Sequence, residues 1–154
     1  MNRCVFLDRD GVINVAAARG EYVLTWNEFH FLPNIADWIR LFNALGLLVI
    51  VITNQRGVAR GLMTEDCVKD IHARMVEKLA QAGARIDDVL CCTHDENECD
   101  CRKPKPGLIR RAAEKWSIDL TLSLFIGDSD SDREAAQRAG VPFILVSNGQ
   151  IRQS

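Results

Sequence analysis

The chain has 154 residues, 47% hydrophobic and 26% charged, which suits one compact domain over residues 1–154 with a single core and gives no reason to expect a second. A formal net charge of −2 leaves no positive excess to recruit nucleic acid or an anionic membrane, and no apolar stretch is long enough to cross a bilayer. Met1-Asn2-Arg3 leads into a short apolar run without a signal-peptide pattern, so we expect a cytoplasmic monomer whose six cysteines are thiols or metal ligands rather than disulfides.

The first predicted strand, Arg3 to Asp8, carries the apolar run Val5-Phe6-Leu7 into Asp8-Arg9-Asp10-Gly11. Positions i and i+2 of an extended chain project to the same side, so Asp8 and Asp10 converge at a strand's C-terminal end. Two carboxylates about 4 Å apart repel by roughly 4 kcal/mol at an effective dielectric near 20, and a cation or proton must compensate. Ile35, Trp38, Ile39 and Phe42 then fall at i, i+3, i+4 and i+7, predicting an amphipathic helix. Leu47 to Thr53 is the second strand. Thr64 caps a helix carried by Val68, Ile71, Met75 and Leu79 toward Gly83.

Asp88 to Cys92 is the third strand, followed by a helix with Pro106 in its first turn and Ile109, Ala112, Ala113 and Trp116 on its apolar face. Leu122 to Gly127 is the fourth strand. Asp130 or Ser131 is the candidate N-cap of a helix closed by Gly140, and Pro142 to Val146 is the fifth strand. Strands this continuously apolar are buried on both faces, so the β-α-β-α order predicts an α/β fold with a parallel sheet between helical layers. The Trp, Phe and Met residues at helical spacing read as core rather than as a cofactor pocket. His30 and His72 stand alone and read as surface or helix-packing residues. Gly149 to Ser154 are expected to be disordered.

Four segments carry chemistry. Besides Asp8-x-Asp10, the second strand ends in Thr53-Asn54-Gln55, small polar side chains that suit either a phosphoryl oxygen or ordinary turn capping. The fourth runs into Gly127-Asp128-Ser129-Asp130-Ser131-Asp132. Hard cations such as Mg²⁺ take one or two carboxylates together with phosphate oxygens and water, so Asp128 beside Asp8 makes a candidate metal site. Cys101-Arg102-Lys103-Pro104 sets cations before a helix, where a lysine delivered into an acidic site would stabilise a transferring phosphoryl group.

Asp8-x-Asp10, Thr53, Lys103 and Gly127-Asp128 resemble, in order and placement, the four motifs of haloacid-dehalogenase-like (HAD) phosphatases, over essentially the whole chain. The resemblance implies a three-layer Rossmann-like fold and an aspartyl-phosphate mechanism. By it, Asp8 is the nucleophile, Asp10 the acid/base, and Thr53 and Lys103 complete the catalytic set. Mg²⁺ would take the Asp8 and Asp128 carboxylates and the Asp10 main-chain carbonyl, with Asp132 close behind or as a further ligand. About two dozen residues separate Asp10 from the helix at Asn34, so no cap domain is expected and the site should be open.

Cys92-x-His94-x4-Cys99-x-Cys101 has zinc-ligand spacing. Three thiolates and one imidazole close a tetrahedral Zn²⁺ and leave no open position, which marks a structural ion stiffening the loop that carries Arg102 and Lys103. Cys4, Cys67 and Cys91 read as small buried hydrophobes.

A zinc loop closing on Cys-Asp-Cys-Arg-Lys-Pro resembles the subfamily of histidinol-phosphate and D-glycero-D-manno-heptose 1,7-bisphosphate phosphatases. Thr53-Asn54-Gln55-Arg56-Gly57-Val58-Ala59-Arg60-Gly61 is similar to the heptose branch, whereas the short His94–Cys99 segment is closer to the histidinol-phosphate form. Ser129 stands where both carry a basic residue. The expectation is therefore a Mg²⁺-dependent phosphomonoesterase acting on a phosphorylated small molecule, a heptose bisphosphate or related sugar phosphate, with histidinol phosphate as the alternative. Asn54, Arg60 and Arg102 are its expected substrate-binding residues, Arg102 through a bidentate grip or, more blandly, an exposed salt bridge. A receiver-like phospho-acceptor module is the non-enzymatic alternative. A zinc-based nucleic-acid module is disfavoured by the acidic balance.

Overall fold

The computed structural model describes residues 1–148 and 150–151. In chain order the elements are β1 (Cys4–Leu7), α1 (Ile35–Ala44), β2 (Leu48–Asn54), α2 (Glu65–Gln81), β3 (Asp88–Cys92), α3 (Gly107–Trp116), β4 (Leu124–Gly127), α4 (Asp130–Ala139), β5 (Phe143–Ser147) and β6 (Gln150–Ile151). Single 3₁₀ turns lie at Trp26–Glu28 and Leu120–Leu122. The sheet order is β3-β2-β1-β4-β5-β6. Strands β1 to β5 pair in parallel, and β6 returns antiparallel on β5.

Alternation along the buried strands builds the three layers. Val5, Leu7, Val49 and Val51 point into one core with Ile35 and Ile39 of α1 and Val68, Ile71, Met75 and Leu79 of α2. Cys4, Phe6, Ile50, Ile52 and Phe125 point into the other, against Leu108, Ile109 and Ala112 of α3 and Ala135 and Ala136 of α4. Full burial of each large aliphatic or aromatic side chain contributes about 1.5–3 kcal/mol, which favours this sandwich over any open arrangement of the same helices. Chain connections diverge to opposite sides at β1, between β2 and β4. The loops beyond the C-terminal ends of these strands form the crevice where open α/β sheets bind ligands. No cap domain interrupts the described chain.

Several expectations are corrected here. The sheet is mixed, because the chain turns back after β5 and Gln150–Ile151 pairs with Val146 and Ser147 within the segment expected to be disordered. Gly149 and residues 152–154 lie outside the described residues. Leu122 ends a 3₁₀ turn instead of starting β4, and it stands 63% exposed. Pro106 is the N-cap of α3 rather than a residue of its first turn. Ser129, not Asp130 or Ser131, caps α4, its hydroxyl accepting from the Asp132 N–H. Trp38, read as core, is 50% exposed, because Ile35 and Ile39 occupy the middle of the α1 stripe and Trp38 its edge. Thr64 and Gly140 bound α2 and α4 as expected, through a hydroxyl accepting from Cys67 N–H and a left-handed backbone respectively.

Candidate active site and metal centres

β1 delivers Asp8 to the crevice already anchored, its backbone N–H donating to the Ile126 carbonyl of β4 at 3.0 Å. The chain then turns sharply, with the Arg9 carbonyl accepting from the N–H groups of Val12, Ile13 and Asn14. Lys103 reaches in from the loop before α3. Its ammonium donates to Asp8 Oδ1 at 2.9 Å and to the Ile52 carbonyl at 3.1 Å, and it lies 2.6 Å from Asp132 Oδ1. Lys103 and Asp132 are almost entirely enclosed. Asp132 Oδ2 also accepts from the Asp128 N–H at 3.1 Å, tying the first turn of α4 to the end of β4.

Asp8, Asp128 and Asp132 each offer a carboxylate oxygen, all within 4.8 Å of one another. Two glycines make this approach possible. A Cβ on Gly11, whose φ is +84°, would stand 1.9 Å from Asp128 Oδ2, and one on Gly127 would stand 2.5 Å from the Asp132 Cβ. Burial pushes the Asp8 carboxyl well above its usual range; the Lys103 charge opposes that, while Asp132 and Asp128 push it higher. Burial and the neighbouring Asp132 raise Asp128 as well. For Asp132, burial is outweighed by Lys103 and by hydrogen bonds, so it is held low. One ammonium thus serves three acids, and a divalent cation fits the remaining imbalance and the all-oxygen donor set.

Asp10 is built differently. Its Oδ1 accepts from Arg9 Nη2 at 2.8 Å and Asn14 Nδ2 at 2.9 Å, and its Oδ2 from Gln55 Nε2 at 3.0 Å. Burial would raise this carboxyl, but the Arg9 charge and these bonds prevail and hold it below the usual value. Gln55 also donates to Thr53 Oγ1 at 2.9 Å, so the end of β2 is wired to the loop after β1. Asn54 reaches the same region with its amide engaged on Lys103, accepting from the Lys103 N–H at 3.1 Å and donating to its carbonyl at 3.3 Å. Arg102 is half-buried, and its Nη1 is enclosed without a partner. Arg60 is more remote, half-exposed and 3.5 Å from Asp95.

The second cluster gathers Cys92, His94, Cys99 and Cys101, with ligand atoms within 4.8 Å of one another. Cys92 Sγ lies 3.0 Å from Cys101 Sγ and 3.5 Å from Cys99 Sγ, and His94 Nδ1 lies 3.6 Å from both Cys92 and Cys101. No disulfide joins them. Ligands of tetrahedral Zn²⁺ with Zn–S near 2.3 Å stand about 3.8 Å apart, so the donor set and its compactness suit that ion. Burial raises Cys92 and Cys101, whereas at Cys99 hydrogen bonds from Cys101 and Arg102 overcome burial and bring the thiol down to about 6. Arg56 fastens the zinc loop to the loop after β2, at 3.0 Å from Asp95 and 2.8 Å from Glu96.

Sequence reasoning overlooked Arg9, Asn14, Gln55 as a ligand of Asp10, and the link from Arg9 to His72. The strand alternation contained one clue: if Asp8 and Asp10 face the crevice, Arg9 between them must face the other way, toward α2.

The HAD-hydrolase-like family model matches residues 100–154. A D-glycero-beta-D-manno-heptose-1,7-bisphosphate 7-phosphatase of Rhodopseudomonas palustris is 48% identical over 145 residues, 89% of this chain and 79% of that protein. A D-glycero-alpha-D-manno-heptose-1,7-bisphosphate 7-phosphatase of Mycobacterium bovis is 41% identical, covering 96% of this chain and 78% of that one. Among solved structures, the D,D-heptose 1,7-bisphosphate phosphatase of B. bronchiseptica, complexed with magnesium and phosphate, superposes with a TM-score of 0.88 at 36% identity, over 96% of this chain and 83% of that one. This chain therefore belongs to the heptose-bisphosphate phosphatase branch of the HAD-like hydrolases, a family of phosphoric monoester hydrolases.

Proposed function

We propose that the protein removes the 7-phosphate of a D-glycero-D-manno-heptose 1,7-bisphosphate through an aspartyl-phosphate on Asp8. The observation that carries this reading is the buried contact of Asp8 with Lys103 beside Asp128 and Asp132, at the point of the sheet where connections diverge. On this reading Asp8 attacks a phosphoryl group entering the open crevice, while Lys103 opposes the burial that favours the protonated carboxyl and would neutralise equatorial oxygens as charge develops. Asp10 protonates the departing sugar oxygen. It then accepts a proton from the water that attacks phosphorus, releasing inorganic phosphate and restoring Asp8. The low carboxyl of resting Asp10 suits the second of these steps, and the first requires that it be protonated when substrate arrives.

Asp8, Asp128 and the Asp10 main-chain carbonyl would hold Mg²⁺, which polarises the phosphoryl oxygens. Thr53, whose hydroxyl accepts from Gln55, would donate to one of those oxygens, as the family resemblance implies. Arg102, with its unpartnered nitrogen, is suited to a second phosphate or sugar hydroxyl, with Arg60 at the periphery and Asn54 holding the Lys103 backbone. Zn²⁺ on Cys92, His94, Cys99 and Cys101 would serve as a clip. With the proposed machinery drawn from one chain, we take the active form to be a cytoplasmic monomer that needs neither membrane nor nucleic acid; no described helix is long and apolar enough to cross a membrane.

Phosphate release with Mg²⁺ from both anomers of the heptose bisphosphate, from histidinol phosphate and from hexose phosphates tests this reading. The expected result is kcat/KM for a heptose bisphosphate far above the others, with the 1-phosphate retained. Preference for histidinol phosphate would transfer the assignment to the other branch of the subfamily.

A further inference from the structure

Arg9 is wholly enclosed although it stands between the two aspartates of the crevice. Its guanidinium is clamped from three directions. Nη2 donates to Asp10 Oδ1 at 2.8 Å, Nη1 lies 3.0 Å from His72 Nε2, and the ring of Phe29 lies 5.6 Å from its central carbon. A guanidinium has no acceptor, so Nε2 of His72 must present its lone pair and the ring must be neutral. Burial and then the Arg9 charge push His72 down to about 4, in keeping with that state. His72 is itself buried in the middle of α2, where Ile71 and Met75 lock the helix onto the sheet. The carboxylate at the far end of this chain of contacts retains a third of its side chain open to the crevice.

We propose that Arg9 and His72 are positioning residues for Asp10, the imidazole fixing the guanidinium and the guanidinium fixing the carboxyl, so that Asp10 meets the leaving oxygen in one orientation. This rests on the reading of Asp10 as the acid/base. An arginine carries several rotatable bonds, and a lone carboxylate partner leaves it free to swing. An acceptor on a rigid, packed helix removes that freedom. Without Arg9, Asp10 would be held only by the neutral amides of Asn14 and Gln55.

The test compares kcat/KM for two esters, because that constant reports only steps through departure of the leaving group. A sugar alkoxide needs the proton from Asp10, whereas the nitrophenolate of p-nitrophenyl phosphate does not. D10N is the reference and should lose about a hundredfold or more on the heptose bisphosphate and far less on the aryl ester. H72F should lose about tenfold on the sugar ester and less than about threefold on the aryl ester. H72Q, whose amide oxygen falls near the Nε2 position, should recover most of that loss.

Equal losses on both esters in H72F, or no recovery in H72Q, would reduce His72 to packing and overturn the proposal. Should H72F not fold, R9K is read in the same way, since one ammonium cannot span His72 and Asp10, and selective loss on the sugar ester supports the proposal while parental behaviour overturns it. A D10N variant that loses equally on both esters would instead overturn the acid assignment, and this proposal with it.

Discussion

Replacing Lys103 with methionine keeps the apolar stem and deletes the charge that Asp8 and Asp132 share. At separations of 2.9 and 2.6 Å and an effective dielectric near 20, each attraction is about 6 kcal/mol before desolvation is subtracted. Much of that offsets the cost of burying three charges. Removing one partner of a buried ion pair typically leaves a net deficit of about 3–5 kcal/mol, because the abandoned carboxylates stay enclosed. Urea denaturation in magnesium-free buffer at pH 7.5, with zinc retained, should therefore show K103M about 3–5 kcal/mol less stable with an unchanged m-value.

The deficit should shrink toward pH 5. Burial already holds the Asp8 carboxyl well above its usual range, so the folded state binds its proton more readily than the unfolded chain does. That contribution is complete at low pH and fades as pH rises through the folded value. Without Lys103 the folded value climbs further, and Asp132 loses the partner that holds it low. Both changes favour the variant as acid is added. Mg²⁺ stabilises parent and variant alike, each by about 2.7 kcal/mol at a hundred times its own Kd, so it narrows the gap only to the extent that the variant, with one cation fewer, binds it more tightly. A variant within about 1 kcal/mol of the parent in magnesium-free buffer would refute the reasoning.

Asp8→Asn should abolish steady-state phosphate release while leaving the melting temperature equal or higher, since it deletes a carboxylate that burial disfavours; measurable turnover would reject Asp8 as nucleophile. Cys99→Ala should lower zinc content, measured by elemental analysis, together with activity, and full activity in zinc-free protein would show the clip to be dispensable. His72 is held at about 4 when folded against an ordinary value of about 6.5, so the folded chain binds fewer protons between these limits and stability falls as pH drops through them. At pH 5 this amounts to about 2 kcal/mol relative to pH 7.5. The difference in unfolding free energy between the parent and H72Q should change by that amount, and parallel pH profiles would contradict it.

The parts of the fold that could be read in advance are those where one residue's chemistry outweighs its surroundings. Unbroken Val, Ile and Leu runs mark the parallel strands, and an aspartate at the end of such a run is too costly to be incidental. The convergence of Asp8 with Asp128 and the clustering of Cys92, His94, Cys99 and Cys101 were foreseeable for this reason, whereas Lys103, in an ordinary Lys-Pro loop, was singled out only through the family resemblance. Asn54 was not, because an amide on a strand end is equally suited to substrate and to backbone, and its environment assigns it to the Lys103 main chain. Ser129 escaped notice as a cap because Asp130 and Ser131, equally suited to capping, follow it directly. The pairing of His72 with Arg9 spans 63 residues and exists only because the loop after β1 lies against α2, a relation that no local pattern encodes.

The strand order divides labour across the molecule. The carboxylate donors proposed for magnesium come from β1 and from the β4–α4 junction, whereas Asn54, Arg60, Arg102 and the zinc loop all follow β2 or β3 on the other side. Because Thr53 and Lys103 also come from that second side, substitutions that retune which sugar is accepted are confined to positions such as Arg60 and Arg102 that leave the contact of Lys103 with Asp8 intact. Such a layout lets a lineage exchange one phosphorylated metabolite for another without reinventing the reaction.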